Sequence, residues 1–188
     1  MSQMFNLYDS PEGLNYPEMA ERALELVEAF RLISRPENRE LLDRHTDDTF
    51  RCHQIEASNP RAVLGALSAS FLIEDSGRQS GSTIDWTTSA RGEQLLSAMD
   101  EHSIYITEIE SDALHTFGSR SFLLPHADTW WTTSDVDVDL HPRELRTLAD
   151  AGLVECEIDT RAGYSTVWRC AERLEQIANV AFEVLSDD

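Results

Sequence analysis

Leu67-Ser-Ala-Ser-Phe-Leu-Ile-Glu-Asp75 and Leu148-Ala-Asp-Ala-Gly-Leu-Val-Glu-Cys156 are two versions of one stretch, and their reading decides the fold. Leu67 matches Leu148, and Phe71-Leu72-Ile73-Glu74 matches Gly152-Leu153-Val154-Glu155. Each version leads through a polar, glycine-bearing gap to a tryptophan segment, Ile84-Asp-Trp-Thr-Thr88 or Ser165-Thr-Val-Trp-Arg-Cys170. Trp86 falls 19 residues after Leu67, and Trp168 falls 20 after Leu148. A period of about 80 residues is too long for a solenoid unit and fits one small domain. The sequence therefore predicts an arm over residues 1–16, one domain over 17–102 and a second copy over 103–188 that ends in a long helix.

Working outward, Asn59-Pro60 is a helix start, with Asn as cap and Pro in the first turn. The helix it opens places Val63, Leu64, Leu67 and Phe71 on one side and ends near Leu72. Ile73-Glu74-Asp75 begins a strand, Ser76 to Ser82 reads as a flexible tip, and Thr83 to Thr88 alternates as a return strand. Thr88 or Ser89 then caps a helix to about Met99. Upstream, apolar residues from Ala20 to Ile33 fall at helical spacing, and Glu37 to about His45 is a second helix. Residues 50–55 fit helix or strand equally.

In the second copy, Ile104–Ile109 alternates as a strand and Ser111–Leu124 reads as a helix stopped by Pro125. Asp128–Thr132 reads as a short helical turn, and Asp135–Leu140 alternates again. His141-Pro142 repeats the helix start. Leu153–Ile158 and Tyr164–Cys170 form a hairpin about the tip 159–163, and Ala171–Leu185 is a terminal helix.

Helix, helix, helix, strand, long loop, strand, helix resembles the winged helix-turn-helix fold. The segment Leu67…Phe71-Leu72-Ile73-Glu74…Trp86-Thr-Thr-Ser-Ala-Arg-Gly-Glu-Gln-Leu-Leu96 is similar to one shared by MarR- and ArsR-like regulators. In them a recognition helix ends in Gly-Leu-Ile/Val-Glu, a polar wing follows, and the second wing strand runs into Leu-Thr-x-x-Gly-x-x-Leu. This chain departs in carrying Phe71 where Gly is usual and Trp86 near the usual Leu; a Phe strains a left-handed helix end. The expected fold class is α+β, mainly helical, with tandem winged helix-turn-helix domains.

The resemblance implies a sequence-specific DNA-binding transcription regulator with double-stranded DNA as partner. The third helix of each copy would enter the major groove and the wing would grip phosphate. The candidate contacts are Asn59, Arg61 and Ser68 with Arg78, Gln79 and Ser80 at the tip in the first copy. In the second they are His141, Arg143, Arg146 and Thr147 with Arg161 and Tyr164 in the wing. Arginine suits this work because its planar fork matches a guanine edge or a phosphate. In such regulators the flanking helices build a dimer, so helices 17–33 and 171–185 are expected to form a homodimer. The alternative is that they cover the junction of the two copies within one chain. The copy with Gly152 and two helix arginines is the better candidate reader.

Composition adds a constraint. The chain has 35 acidic and 15 basic residues, net charge -20, and every basic residue is Arg. Dispersed acid without Lys is the composition of an archaeal-type protein of a salt-rich cytoplasm, where carboxylates hold hydration and salt screens their repulsion. An acidic mesophilic protein or a nucleic-acid mimic is the alternative. Residues 1–102 hold 18 acids against nine Arg, and 103–188 hold 17 against six. That leaves no broad basic footprint and keeps a second reading open: a tandem winged-helix adaptor, like the B subunit of segregation and condensation complexes, that binds protein.

Other chemistries find little. Cys52, Cys156 and Cys170 lack C-x-x-C spacing and read as free thiols. Asp135-x-Asp-x-Asp139 reads as an exposed acidic strand before a cation site, and His45, Cys52 and His53 lack zinc spacing. Trp130-Trp131 reads as a core pair before a ligand wall. No phosphate-cradling glycine loop and no Gly-x-Ser-x-Gly occurs, so neither an enzyme nor a cofactor or metal is expected. With no basic-then-apolar leader and no apolar run of membrane length, a cytoplasmic protein with no membrane partner is expected.

Overall fold

The computed structural model describes residues 16–80, 83–136, 138–160 and 165–186. Along the chain lie α1 (Tyr16–Ile33), α2 (Pro36–Arg44), α3 (Pro60–Ala69), β1 (Ile73–Ser80), β2 (Thr83–Thr88), α4 (Ala90–Glu101), α5 (Glu108–Phe117), α6 (Pro142–Asp150), β3 (Val154–Asp159), β4 (Ser165–Cys170) and α7 (Glu172–Ser186). Two short 3-10 turns lie at Cys52–Gln54 and Ser119–Leu123. The class is α+β and mainly helical, and the strands form two separate antiparallel hairpins, β1–β2 and β3–β4. No helix among the described residues is long and apolar enough to cross a membrane.

The described residues divide into two compact units, Glu28–Tyr105 on its own and 16–27 together with those from Ile106 onward. Helix α1 therefore contributes to both. Its Ala20, Ala23, Leu26 and Val27 are fully buried, as are Phe30 and Ile33. In α7, Leu174, Ile177, Ala178, Val180 and Ala181 are fully buried as well. These are the apolar faces from which a homodimer was expected. The named residues are buried in the single chain.

In the Glu28–Tyr105 unit, α2 packs on α4 and on β2, and α3 packs on β1. Asn59 caps α3 by accepting from the Ala62 amide at 3.2 Å, with Pro60 opening the helix as the sequence predicts. Thr88 ties the hairpin to α2: its Oγ1 donates to the Leu42 carbonyl at 2.7 Å and its amide to the His45 carbonyl at 3.0 Å. Ser89 caps α4, accepting from the Gly92 amide at 3.0 Å. The 50–55 ambiguity resolves into both states. Phe50 makes a one-residue β-bridge to Trp86, with reciprocal N–H to O distances of 2.8 Å, and Cys52–Gln54 is 3-10 helical.

The other unit repeats that order in detail. Trp131 bridges Trp168 as Phe50 bridges Trp86. Val154 faces Cys170 and Cys156 faces Trp168, just as Ile73 faces Thr88 and Asp75 faces Trp86. Leu148 accepts from the Leu153 amide at 2.9 Å, as Leu67 accepts from that of Leu72 at 2.9 Å. Cys156 is exposed and Cys170 buried; all three cysteines are free thiols, and burial pushes the Cys170 thiol far above its usual range.

Four expectations need correction. Residues 104–109 are not a strand. Ile104 and Ile106 are buried, and Thr107 and Glu110 form a reciprocal capping box that starts α5 at Glu108, three residues before the expected start at Ser111. The helix expected to reach Leu124 ends at Phe117, where Gly118 adopts φ +82°, and gives way to the 3-10 turn. Residues 128–132 are not helical; Trp131 is extended against β4. The alternating 135–140 segment is turn and bend among its described residues. There the Asp135 carboxylate accepts from the Thr132 amide at 2.7 Å and from the Thr132 hydroxyl at 2.8 Å, which holds Asp135 below the usual carboxylate range. Asp137 lies outside the described residues.

Phe71 takes the left-handed conformation that the sequence disfavours. Its φ is +56°, beside +74° for Gly152, and its amide donates to Ser68 as that of Gly152 donates to Ala149. The helix end is thus the same Schellman closure in both units, held by buried Leu67 and Leu72 in one and Leu148 and Leu153 in the other. The Phe71 ring gains nothing in return, being 69% exposed. Phe71→Gly is expected to stabilise the protein by about 1 kcal/mol, the strain of a left-handed L-residue less the added freedom of the unfolded glycine. A higher urea midpoint would show it.

Glu110 also fastens α5 to α7. Its Oε1 accepts from Arg173 Nε at 2.6 Å while Oε2 caps Thr107. Burial works most strongly to raise its pKa, but the hydrogen bonds from Arg173 and from the Thr107 amide and hydroxyl outweigh it and hold the carboxyl below its ordinary range. A depressed folded-state pKa means a contribution present above the unfolded value and lost as pH falls through the folded one. Glu110→Gln is expected to cost about 2 kcal/mol at neutral pH, reduced from a fully buried pair because Arg173 is partly solvated. The gap from wild type should close as urea midpoints are followed below about pH 4.

Candidate nucleic-acid interface

The sequence-derived contact residues fall into three groups. Asn59 and His141 are helix caps. The Asn59 side chain accepts from Ala62, and His141 Nδ1 accepts from the Arg143 amide at 3.2 Å. Both are exposed, but their ring or amide oxygen-side chemistry is committed to the backbone. Arg61, Arg78, Arg143 and Arg146 are exposed. Gln79 stands opposite Ile84 in the hairpin, while Arg161 and Tyr164 lie outside the described residues. The hairpin of the Glu28–Tyr105 unit is built differently from expectation. Arg78, Gln79 and Ser80 belong to strand β1, which continues through a register shift between Asp75 and Gln79, so they line the hairpin rather than a loose tip.

Electrostatics separates the arginines. Arg31, Arg39, Arg44, Arg51, Arg120, Arg169 and Arg173 each pair with a carboxylate. Arg51 clamps buried Asp85 at 2.6 Å, and Arg169 lies over the Trp130 ring at 4.6 Å while pairing with Glu155. That contact, with Trp131 buried against β4, gives the Trp130-Trp131 pair a structural part. Arg61, Arg78, Arg143 and Arg146 have no carboxylate partner among the described residues. In a chain with 35 acids, the guanidiniums of Arg61, Arg78, Arg143 and Arg146, exposed and without a carboxylate partner among the described residues, are available to bind anions.

Helix α6 shows how this is arranged. Arg143 and Arg146 are one turn apart on the exposed side, and Leu145 and Leu148 are fully buried on the other. Glu144 lies between the arginines in sequence. Arg120, from the 3-10 turn, reaches its carboxylate at 3.3 Å and also donates to the Asp139 carbonyl at 2.8 Å. The Arg120 hydrogen bond first, then that from the His141 amide, hold Glu144 below the ordinary range. Glu144 is thereby turned to Arg120 and away from competing for Arg143 or Arg146. Nothing in the sequence marks Arg120 for this task, since it stands 24 residues before Glu144 in a segment that reads as helix.

No cluster of three or more His, Cys, Asp or Glu side chains is placed to hold a metal among the described residues. Comparison with protein-family models, with curated proteins and with solved structures finds no match to this chain.

Proposed function

We propose that this protein is a sequence-specific DNA-binding transcription regulator of tandem winged helix-turn-helix architecture, adapted to high salt. The observation that carries the reading is the set of exposed arginines without acid partners among the described residues, placed at the first turn of α3, on the hairpin strand β1, and along α6. The repeated order of helix, bridge, helix, hairpin and helix supports it, because such a unit offers one helix to a groove and one hairpin to the flanking phosphates. High salt screens the distant acids and leaves short-range contacts to decide. With two units in one chain and its long helices already covered, the DNA-binding entity is the monomer, which should sediment as 21.3 kDa.

A protein adaptor is the second reading, favoured by the net charge of -20 and by Ile109 and Ile158, each 68% exposed. Retention of genomic duplex fragments across a potassium chloride series up to molar salt tests between them. The regulator reading expects fragments retained by wild type and weakened by Arg61→Ala and Arg143→Ala. Wild-type protein that retains no fragment, or variants that bind unchanged, would sink it.

A further inference from the structure

Resting on the DNA-binding reading, we infer that base readout is confined to α6, and that the target is an asymmetric duplex site with two guanines within about two base pairs. The two helices are superposable in sequence through their common buried leucines, Leu67 and Leu148. Counted back from these, the exposed positions occupied by Arg143 and Arg146 in α6 are occupied by Ala62 and Gly65 in α3. Ala62 and Gly65 are exposed too, and a side chain at Gly65 would meet nothing within 4 Å. The same face is therefore open in both helices, yet only α6 carries donors on it. Arg61 aligns with Pro142, off that row.

On α6 the row is suited to bases. Arg143 is in the first turn and Arg146 one turn on, which places them at the end of the helix that meets base edges in helix-turn-helix docking. Residues three apart on a helix are about 5–6 Å apart at Cβ, and stacked base pairs are about 3.4 Å apart, so the two forks reach neighbouring or next-neighbouring pairs. Each fork matches the O6 and N7 acceptors of guanine. Asp150 ends the row and accepts only, as from the exocyclic amine of cytosine. On α3 and β1, Arg61 and Arg78 remain as point contacts to phosphate, which position without reading.

The test is selection from a random duplex library by the full-length protein in high potassium chloride, followed by binding of the selected duplex and its single-pair substitutions. Arg143→Ala and Arg146→Ala should each weaken the selected duplex about 10-fold or more and each abolish the preference at one G·C pair. Arg61→Ala and Arg78→Ala should weaken all duplexes by one common factor, leave the preference intact and lower the salt slope by about one. All four side chains are exposed, and circular dichroism should show the variants folded. Selection of two matched half-sites, or a preference that Arg61→Ala relaxes and the α6 variants leave unchanged, would overturn confinement to α6 while keeping DNA binding. Wild-type protein that enriches no duplex would overturn both.

Discussion

Leu67→Ala and Leu148→Ala are expected to destabilise the protein by about 3 kcal/mol each, the usual cost of removing a fully buried leucine from a packed core. Both side chains are fully buried. Each lies on the helix that carries the proposed DNA contacts, and each carbonyl closes that helix by accepting from a leucine amide at 2.9 Å. The two positions are structural equivalents, so their costs should agree within about 1 kcal/mol, the spread set by how far each site can collapse. Urea unfolding in molar potassium chloride measures this. A loss below about 1 kcal/mol at either position would show that its helix is not seated as described.

Gly92→Ala is expected to cost about 2 kcal/mol even though alanine favours helices. A Cβ at Gly92 would stand 2.4 Å from the Leu72 carbonyl oxygen and 3.0 Å from Thr88 Cγ2. The first is backbone and cannot swing aside, because the same carbonyl accepts from the Ser89 amide at 3.0 Å. Relief requires α4 to move off the end of the α3 turn. Gly65→Ala is the contrast, since nothing lies within 4 Å and the helix is exposed there. It should stabilise by about 0.5–1 kcal/mol through propensity alone. If both substitutions shift the urea midpoint in the same direction, the close approach at Gly92 is not what that glycine is for.

Much of the fold was legible because local and long-range signals agreed. Asn59-Pro60 and His141-Pro142 set helix starts by capping chemistry, and the hairpin strands alternate about buried Trp168 and half-buried Trp86. Prediction failed where two local signals competed. Over 104–109 alternation favoured a strand, but the Thr107–Glu110 capping box, reinforced by Arg173 from α7, won. Alternation over 135–140 was equally misleading, because Asp135 spends its carboxylate on Thr132 and closes a turn. Phe71 marks the opposite failure. A residue judged unfit for a left-handed helix end takes it anyway, since the buried leucine pair and the Ser89 hydroxyl, 2.5 Å from the Phe71 carbonyl, fix the turn from both sides.

The candidate site was legible in residue type and only partly in arrangement. Arg61, Arg143 and Arg146 stand exposed on the helices that sequence placed them on. Arg78 moved from loop to strand because β1 runs on past a register shift that no periodicity announces. The pairing that matters most for α6, Arg120 with Glu144, joins residues from separate elements and could not be read from spacing.

The central claim is that the unpaired arginines of α3, β1 and α6 meet duplex DNA. Its most direct test is titration of isotope-labelled protein with a selected duplex, following backbone amides together with arginine Nε–Hε resonances. The account predicts saturable shifts concentrated at Arg143, Arg146 and the first turn of α6, with smaller ones at Arg61 and Arg78 and none at the acid-paired Arg44. Shifts centred instead on Ile109 and Ile158, or no shifts at saturating duplex, would contradict it.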